Sequence, residues 1–138
     1  MATKMGMKRK TPKVGIKRKQ IKLYPLDIMF SRYVRIKAEY KCEYCGKQYD
    51  SHSKGLHCSH FISRRYRNTR FDECNVSVAC YGCHHLFHDF PSLHRDFFVK
   101  RIGTDGIEQL EILARSGQKP DLEQIKVSLE KKLKAIGG

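Results

Sequence analysis

Apolar residues recur with a mostly helical spacing from Pro25 to about Glu39. Side chains three and four positions apart share one face of a helix, so this spacing predicts an amphipathic helix that begins at the proline. Its apolar positions are Ile28, Phe30, Tyr33, Val34 and Ile36.

The rest of the chain predicts two strands and four further helices. Residues 56–62 and 75–79 have the short apolar or alternating patterns of strands. The helices are expected over about 83–90, from Pro91 to a stop at Gly103, over 105–115 and over 121–135. The last helix is charged on most faces, and we therefore expect it to be peripheral.

Positive charge is concentrated at the start of the chain. The 138 residues carry a net charge of +14, and residues 1–26 contain nine Lys or Arg and no acidic residue. A segment so basic and so poor in large apolar residues cannot fold alone, so we expect residues 1–24 to be a disordered tail that contacts DNA phosphates. The expected contacts are Lys8, Arg9, Lys10, Lys17, Arg18 and Lys19. A merely solubilising tail is the alternative.

The sequence predicts a soluble cytoplasmic protein. No apolar run approaches the roughly 20 residues that span a bilayer, so no membrane partner is expected. Residues 1–20 are polar and basic and contain no secretory apolar segment. In a reducing cytoplasm, the six cysteines are more suited to metal binding than to disulfides.

Four of these cysteines form two Cys-x-x-Cys pairs, Cys42 with Cys45 and Cys80 with Cys83. Each pair places two thiolates on one tight turn, and two such turns can close a tetrahedral site for structural Zn²⁺. The other two cysteines, Cys58 and Cys74, are expected to be buried small residues. Cys58 is also an alternative ligand of the metal ion.

The order of strand, loop, strand and helix, with a histidine near the end of the first strand, is that of a ββα-metal core. Several motifs lie on this frame: Cys42-x-x-Cys45-Gly46, 59–65 (Ser-His-Phe-Ile-Ser-Arg-Arg), Thr69-Arg-Phe-Asp72, Asn75, Cys80-Tyr-Gly-Cys83-His84 and 97–103 (Phe-Phe-Val-Lys-Arg-Ile-Gly). Together they resemble the phage lambda recombination endonucleases called NinG or Rap, an HNH family, over about residues 40–112.

The resemblance implies an α+β fold. Its centre would be a small ββα-metal (HNH, or His-Me finger) core with a four-cysteine zinc knuckle pair, flanked by helices. Residues 25–118 would form this zinc-stapled nuclease domain, and residues 119–138 would form a C-terminal helix.

The resemblance also implies roles for single residues. His60 is the expected general base, since a neutral imidazole can take a proton from water. Asn75 is expected to hold the loop of the base or to orient His60. His84 and His88 are four apart on one helix face and are the expected ligands of a catalytic divalent metal ion, with His85 and His88 as the rival pair.

The ligand set of the catalytic metal stays open. Ser59 stands where many HNH enzymes have an Asp or His directly before the base. His57 is an odd number of residues from His60, so an unbulged strand would place it on the opposite face, while Cys58 shares the face of His60. Mg²⁺, Mn²⁺, Ni²⁺ and Zn²⁺ are all candidates, although histidine ligands favour a transition metal.

Four arginines follow the expected base: Arg64, Arg65, Arg67 and Arg70. Guanidinium groups beside a nucleolytic base can hold the phosphates on either side of the cut, in part through paired hydrogen bonds. A solvated basic loop without fixed contacts is the alternative. No residue in this segment is an obvious reader of base edges, so a preference for DNA structure over DNA sequence is expected.

The resemblance implies a metal-dependent endonuclease that hydrolyses phosphodiester bonds in branched recombination intermediates such as D-loops and four-way (Holliday) junctions. Two alternatives remain: an HNH nuclease with another role, sequence-specific or non-specific, and a non-catalytic zinc module that binds nucleic acid. Symmetric cutting of a junction needs two active sites, so a homodimer is expected. Phage recombination proteins would be partners, and the host cytoplasm would be the location.

Deletion of residues 1–20 is expected to weaken DNA binding while the fold is retained, because the tail neutralises phosphates. Each lost phosphate contact lowers the slope of log K against log salt by about 0.9. DNA titrations of the full and shortened chains at several salt concentrations measure this slope, and circular dichroism controls for folding. An unchanged slope would show that the tail makes no phosphate contact.

Overall fold

The computed structural model describes residues 23–137 of the chain. Their elements are, in chain order, α1 (Pro25–Lys37), β1 (Leu56–His60), α2 (Arg67–Arg70), a 3₁₀ turn (Glu73–Asn75), β2 (Val76–Cys80), α3 (Tyr81–Asp89), α4 (Pro91–Arg115) and α5 (Leu122–Ala135). This is an α+β arrangement of helices around one small sheet. The expected tail contacts, Lys8, Arg9, Lys10, Lys17, Arg18 and Lys19, lie outside the described residues.

The sheet consists of β1 and β2, which pair antiparallel in an unbroken register from Leu56 opposite Cys80 to His60 opposite Val76. Both predicted strands are confirmed with small shifts at their ends. β1 ends two residues early because the chain turns after His60, where the Phe61 amide donates to the carbonyl of Asn75 at 2.8 Å. β2 continues directly into α3, so the end of this strand and the start of the helix form one rigid junction.

The core lies between α1, the sheet, α3 and α5. β2 is buried along its whole length, and α1 contributes Phe30, Tyr33 and Val34. These residues form one cluster with Phe87 of α3 and with the cysteines of both pairs other than Cys45. The helical spacing seen in the sequence therefore marks the buried face of α1 at these three positions, whereas Ile28 is 59% exposed.

Two elements escaped the sequence analysis. The short helix α2 and the 3₁₀ turn lie in the connection between the strands, a segment for which the sequence analysis predicted no helix. The expected stop at Gly103 is confirmed as a local break within α4, since this glycine has φ 77° and ψ 167°. A side chain would be strained at such a positive φ.

The last helix was expected to be peripheral, but it packs against the core. In α5, Leu129 and Leu133 are 4% and 6% exposed and join the core against α1. Glu73 reinforces this contact, because its carboxylate pairs with both Lys37 of α1 and Lys132 of α5. Two leucines four residues apart are enough to dock a helix whose other faces are charged.

No helix among residues 23–137 is both long enough and apolar enough to cross a membrane.

Leu129→Ala is expected to destabilise the protein by about 2–5 kcal/mol, since a buried leucine is lost and a cavity remains. Val127→Ala on the same helix is the matched control, because Val127 is 44% exposed and its loss is expected to change the free energy of unfolding by less than about 0.5 kcal/mol. Denaturant unfolding of both variants measures the difference. Equal, small effects would show that α5 is not docked as described.

Candidate functional site

The two Cys-x-x-Cys pairs form one cluster of four sulfur atoms. The Sγ atoms of Cys42, Cys45, Cys80 and Cys83 all lie within 4.8 Å of one another, and those of Cys45 and Cys80 are 3.9 Å apart. A tetrahedral zinc ion with Zn–S bonds of about 2.3 Å requires sulfurs about 3.8 Å apart. The four cysteines therefore fit a structural metal ion such as zinc, in a closed site with no position left for substrate.

The local backbone explains how the cluster forms. In the first pair, the chain reverses at Gly46, which has φ 82° and donates its amide to the Cys42 carbonyl at 2.9 Å. In the second pair, Cys80 is the last residue of β2 and Cys83 lies in the first turn of α3. Burial raises the pKa of Cys42, but hydrogen bonds from the backbone outweigh it and bring this pKa to about 7.

Glu43 fastens the first cysteine turn to β2. Its amide donates to the Val78 carbonyl at 2.7 Å, and its carboxylate accepts from the Val78 amide at 2.8 Å. Arg101 of α4 contacts the same carboxylate at 3.5 Å. The backbone groups of Val78 that β1 does not use are thereby satisfied, and the cysteine turn becomes part of the sheet edge.

A cavity of about 780 Å³ lies beside β1 and brings several of the expected site residues together. It is bounded by α1, β1, the loop after β1, and α3. Its ionisable and metal-ligating side chains are Asp27, Arg35, His57, Cys58, His60, Arg64, His84 and His88.

His60 is held by one defined hydrogen bond. Its Nε2 lies 2.9 Å from the carbonyl oxygen of Arg70. A carbonyl only accepts, so Nε2 carries the proton in the neutral ring, and Nδ1 carries the lone pair. Burial lowers the pKa of His60 below its usual 6.5, although the bond to the carbonyl opposes this shift. The neutral form, which can accept a proton at Nδ1, is therefore favoured at neutral pH.

Asn75 fixes the connection that surrounds His60. It is fully buried, and its Oδ1 accepts from the Ile62 amide at 2.7 Å. Its Nδ2 donates to the carbonyls of Ile62 and Thr69, both at 3.0 Å. One amide side chain thus binds the loop that follows β1 to the helix α2, in agreement with the expectation that Asn75 holds the loop of the base.

Two histidines of α3 and one histidine of β1 line the same cavity. His84 and His88 both line it, and so does His57, whose ring stacks on that of His84 at 5.0 Å and 8°. His57 lies on the opposite face of β1 from His60, as expected for a strand with an unbroken register, yet both side chains line the same cavity. His85 instead packs on Tyr81, with ring centroids 4.3 Å apart.

Among residues 23–137, the histidines do not form a preassembled three-ligand group like that of the cysteines. The Nδ1 atom of His84 is nevertheless buried without a hydrogen-bond partner. Burial lowers the pKa of His84, and the neighbouring histidines lower it further. A neutral ring with an unused nitrogen is the form in which histidine binds a metal ion.

The four arginines after His60 have different environments. Arg64 lines the cavity, Arg65 is exposed, and Arg67 lies beside a separate cavity of about 670 Å³. The expected DNA contact by Arg70 is wrong. This side chain is buried and forms a two-bond ion pair with Asp27, at 2.8 and 2.7 Å. A guanidinium that is already paired inside the protein cannot take a phosphate.

Sequence reasoning missed Arg35, which enters the cavity from α1 and donates to Ser31. In the sequence, Arg35 is one polar position on a helix whose other face is apolar. This pattern does not show which residues the polar face contacts. Cys58 shares the cavity, where burial raises its pKa to about 12, so it remains a thiol. Cys74 is exposed, contrary to the expectation that it is buried.

No family model, no curated protein and no solved structure matches the chain.

Cys45→Ser and Cys80→Ser are each expected to release zinc and unfold the domain, because binding of a structural metal contributes directly to folding. Cys74→Ser is the matched control, since Cys74 is exposed and outside the cluster. Zinc content per chain and circular dichroism measure the two effects. A full equivalent of zinc in either cluster variant would contradict a four-cysteine site.

Proposed function

We propose that this protein is a metal-dependent HNH-type endonuclease that hydrolyses phosphodiester bonds in branched DNA. The observation that carries the proposal is the arrangement around one cavity. Two antiparallel strands and the helix that follows them bring His60, His84 and His88 together, and Asn75 fixes the loop between the strands.

His60 is the general base of this proposal. Its Nδ1 takes a proton from a water molecule as the water oxygen attacks phosphorus. The bond from phosphorus to the 3′ oxygen breaks, and this oxygen leaves with the bonding electrons and takes a proton from solvent. The bond from Nε2 to the Arg70 carbonyl holds the ring in the tautomer that can do this. Proton transfer by a positioned side chain contributes about 10²–10⁴-fold to such a rate.

His84 and His88 would hold the catalytic metal ion. Both side chains line the cavity. The Nδ1 atom of His84 has no hydrogen-bond partner among residues 23–137, so its lone pair can bind a metal ion. A divalent ion bound there supplies Lewis-acid stabilisation of the negative charge on the leaving oxygen. Imidazole ligands favour Mn²⁺, Ni²⁺ or Zn²⁺ over Mg²⁺.

The charge of the cavity suits a phosphodiester. Asp27 contributes the single carboxylate among its lining side chains, and the pairing with Arg70 neutralises it. Arg35 of α1 and Arg64 of the loop after β1 then leave the cavity with an excess of positive charge. A concave positive surface attracts phosphates and retains them near the base.

The choice of branched DNA as substrate is supported by the motifs that resemble the phage recombination endonucleases. In the same way, a homodimer, phage recombination partners and a host-cell cytoplasmic location belong to this proposal. The four unbridged cysteines of the cluster agree with a reducing compartment. The basic start of the chain would add contacts to the arms of a junction.

His60→Ala is expected to reduce cleavage by about 10²–10⁴-fold while DNA binding is retained, since only the proton acceptor is lost. The assay uses end-labelled four-way junction, D-loop and linear duplex, each with Mg²⁺, Mn²⁺ or Ni²⁺. His52→Ala is the matched control, because His52 is exposed and does not line the cavity.

Cleavage of branched substrates by the wild type and by His52→Ala, but not by His60→Ala, would support the whole proposal. Equal cleavage of linear duplex would leave the nuclease and remove the branched substrate. Tight binding without cleavage under any metal would identify a non-catalytic zinc module instead.

A further inference from the structure

We propose that Arg70 is a positioning residue for His60, and that Asp27 of α1 holds Arg70 in the required place. The inference rests on the proposed function, because His60 acts there as the base. In this arrangement a buried ion pair beside the cavity decides which nitrogen of the base carries the proton.

The first step is the ion pair itself. Nε and Nη2 of Arg70 donate to the two carboxylate oxygens of Asp27 at 2.8 and 2.7 Å, and both side chains are about 5% exposed. Such a two-point contact fixes the plane of the guanidinium as well as its distance. Asp27 is fixed in turn, since its Oδ2 accepts from the Tyr24 amide at 2.7 Å at the start of α1.

The second step is that the main chain of the same arginine carries the hydrogen bond of the base. Arg70 is the last residue of α2, and its carbonyl accepts from Nε2 of His60 at 2.9 Å. Asn75 holds the preceding carbonyl, that of Thr69, at 3.0 Å. The Arg70 peptide is therefore fixed through its side chain on one side and through Asn75 on the other.

The third step concerns charge. Asp27 lines the cavity in which a phosphate would bind, and an unpaired carboxylate there would repel it. The pairing with Arg70 cancels this charge and leaves Arg35 and Arg64 in excess. The position of Arg70 thus serves two needs of the site at once, although its guanidinium does not itself touch a phosphate.

The proposal distinguishes a positioning role from a purely stabilising one. Any broken buried ion pair destabilises a protein, because one charge is left without its partner. Only a positioning role also predicts that the ring nitrogens of His60 change their protonation pattern in a folded protein. The tautomer of His60 is therefore the decisive readout, and it requires neither DNA nor cleavage.

The variants are Asp27→Asn, which loses the charge and one acceptor, and Arg70→Lys, which keeps the charge but not the two-point contact. The matched control is Glu73→Gln, which removes the charge of another ion-paired carboxylate, one that contacts Lys37 and Lys132. Long-range ¹H–¹⁵N NMR spectra of the zinc-loaded proteins report the His60 tautomer near neutral pH, and the spectrum of His60→Ala assigns its signals.

Wild type and Glu73→Gln are expected to show the Nε2–H form, and Asp27→Asn and Arg70→Lys a mixture of both tautomers. On a cleaved junction, kcat of these two variants is expected to fall by about 10–100-fold with KM unchanged, since a base displaced by about 1 Å loses this much.

Three results would overturn the proposal: an Nδ1–H form in the wild type, an unchanged tautomer and kcat in both test variants, or an equal change in Glu73→Gln. An Nδ1–H form in the wild type overturns the proposal even if both variants fail to fold. A wild type that cuts no DNA would refute the proposed function, while the NMR result would still decide the link between Asp27, Arg70 and His60.

Discussion

The rest of the structure depends on one contact, the clustering of four cysteine sulfurs, which joins two distant parts of the chain. One pair belongs to a turn that Glu43 attaches to the sheet, and the other spans the junction of β2 and α3. A two-stranded sheet is marginal by itself in water, and a domain of this size has a limited core. Metal bound by the cluster would add its binding free energy to folding and would fix the start of α3. The orientation of His84 and His88 relative to β1 therefore depends on the cluster.

A second set of contacts, all polar, organises the connection between the strands. Asn75, Thr69 and Arg70 are buried there, and each has hydrogen-bond partners. Buried polar groups are costly unless they are satisfied, so such a network permits few alternative loop conformations. The cysteine cluster thus sets the position of the helix, and the polar network sets the position of the base. The cavity lies where these two independently held parts meet.

The sequence predicted those features that depend on local spacing and not those that depend on partners. The strands and the cysteine pairs follow from periodicity and motif order, whereas Asn75, expected to begin the second strand, lies in the 3₁₀ turn before it. The burial of Arg70 does not, because an arginine in a basic segment looks the same whether it meets a phosphate or Asp27, which lies 43 positions earlier. Strand alternation placed His57 and His60 on opposite faces of β1 but could not show that both side chains line one cavity. The burial of Leu129 was not predicted, because lysines surround this residue in the sequence.

The way in which α5 is held has a consequence for the order of folding. This helix contributes no cysteine to the cluster, and its contacts with the core include two buried leucines, the ion pair of Lys132 with Glu73 and the same lysine over the ring of Tyr33. It is therefore the element whose release costs least, and hydrogen exchange should be fastest there among the helices of the core. It also follows the other elements in the chain, so a ribosome would expose the cysteine cluster before α5 is complete. Metal capture can then precede the docking of this helix, and the nascent chain would acquire its cavity before its last layer.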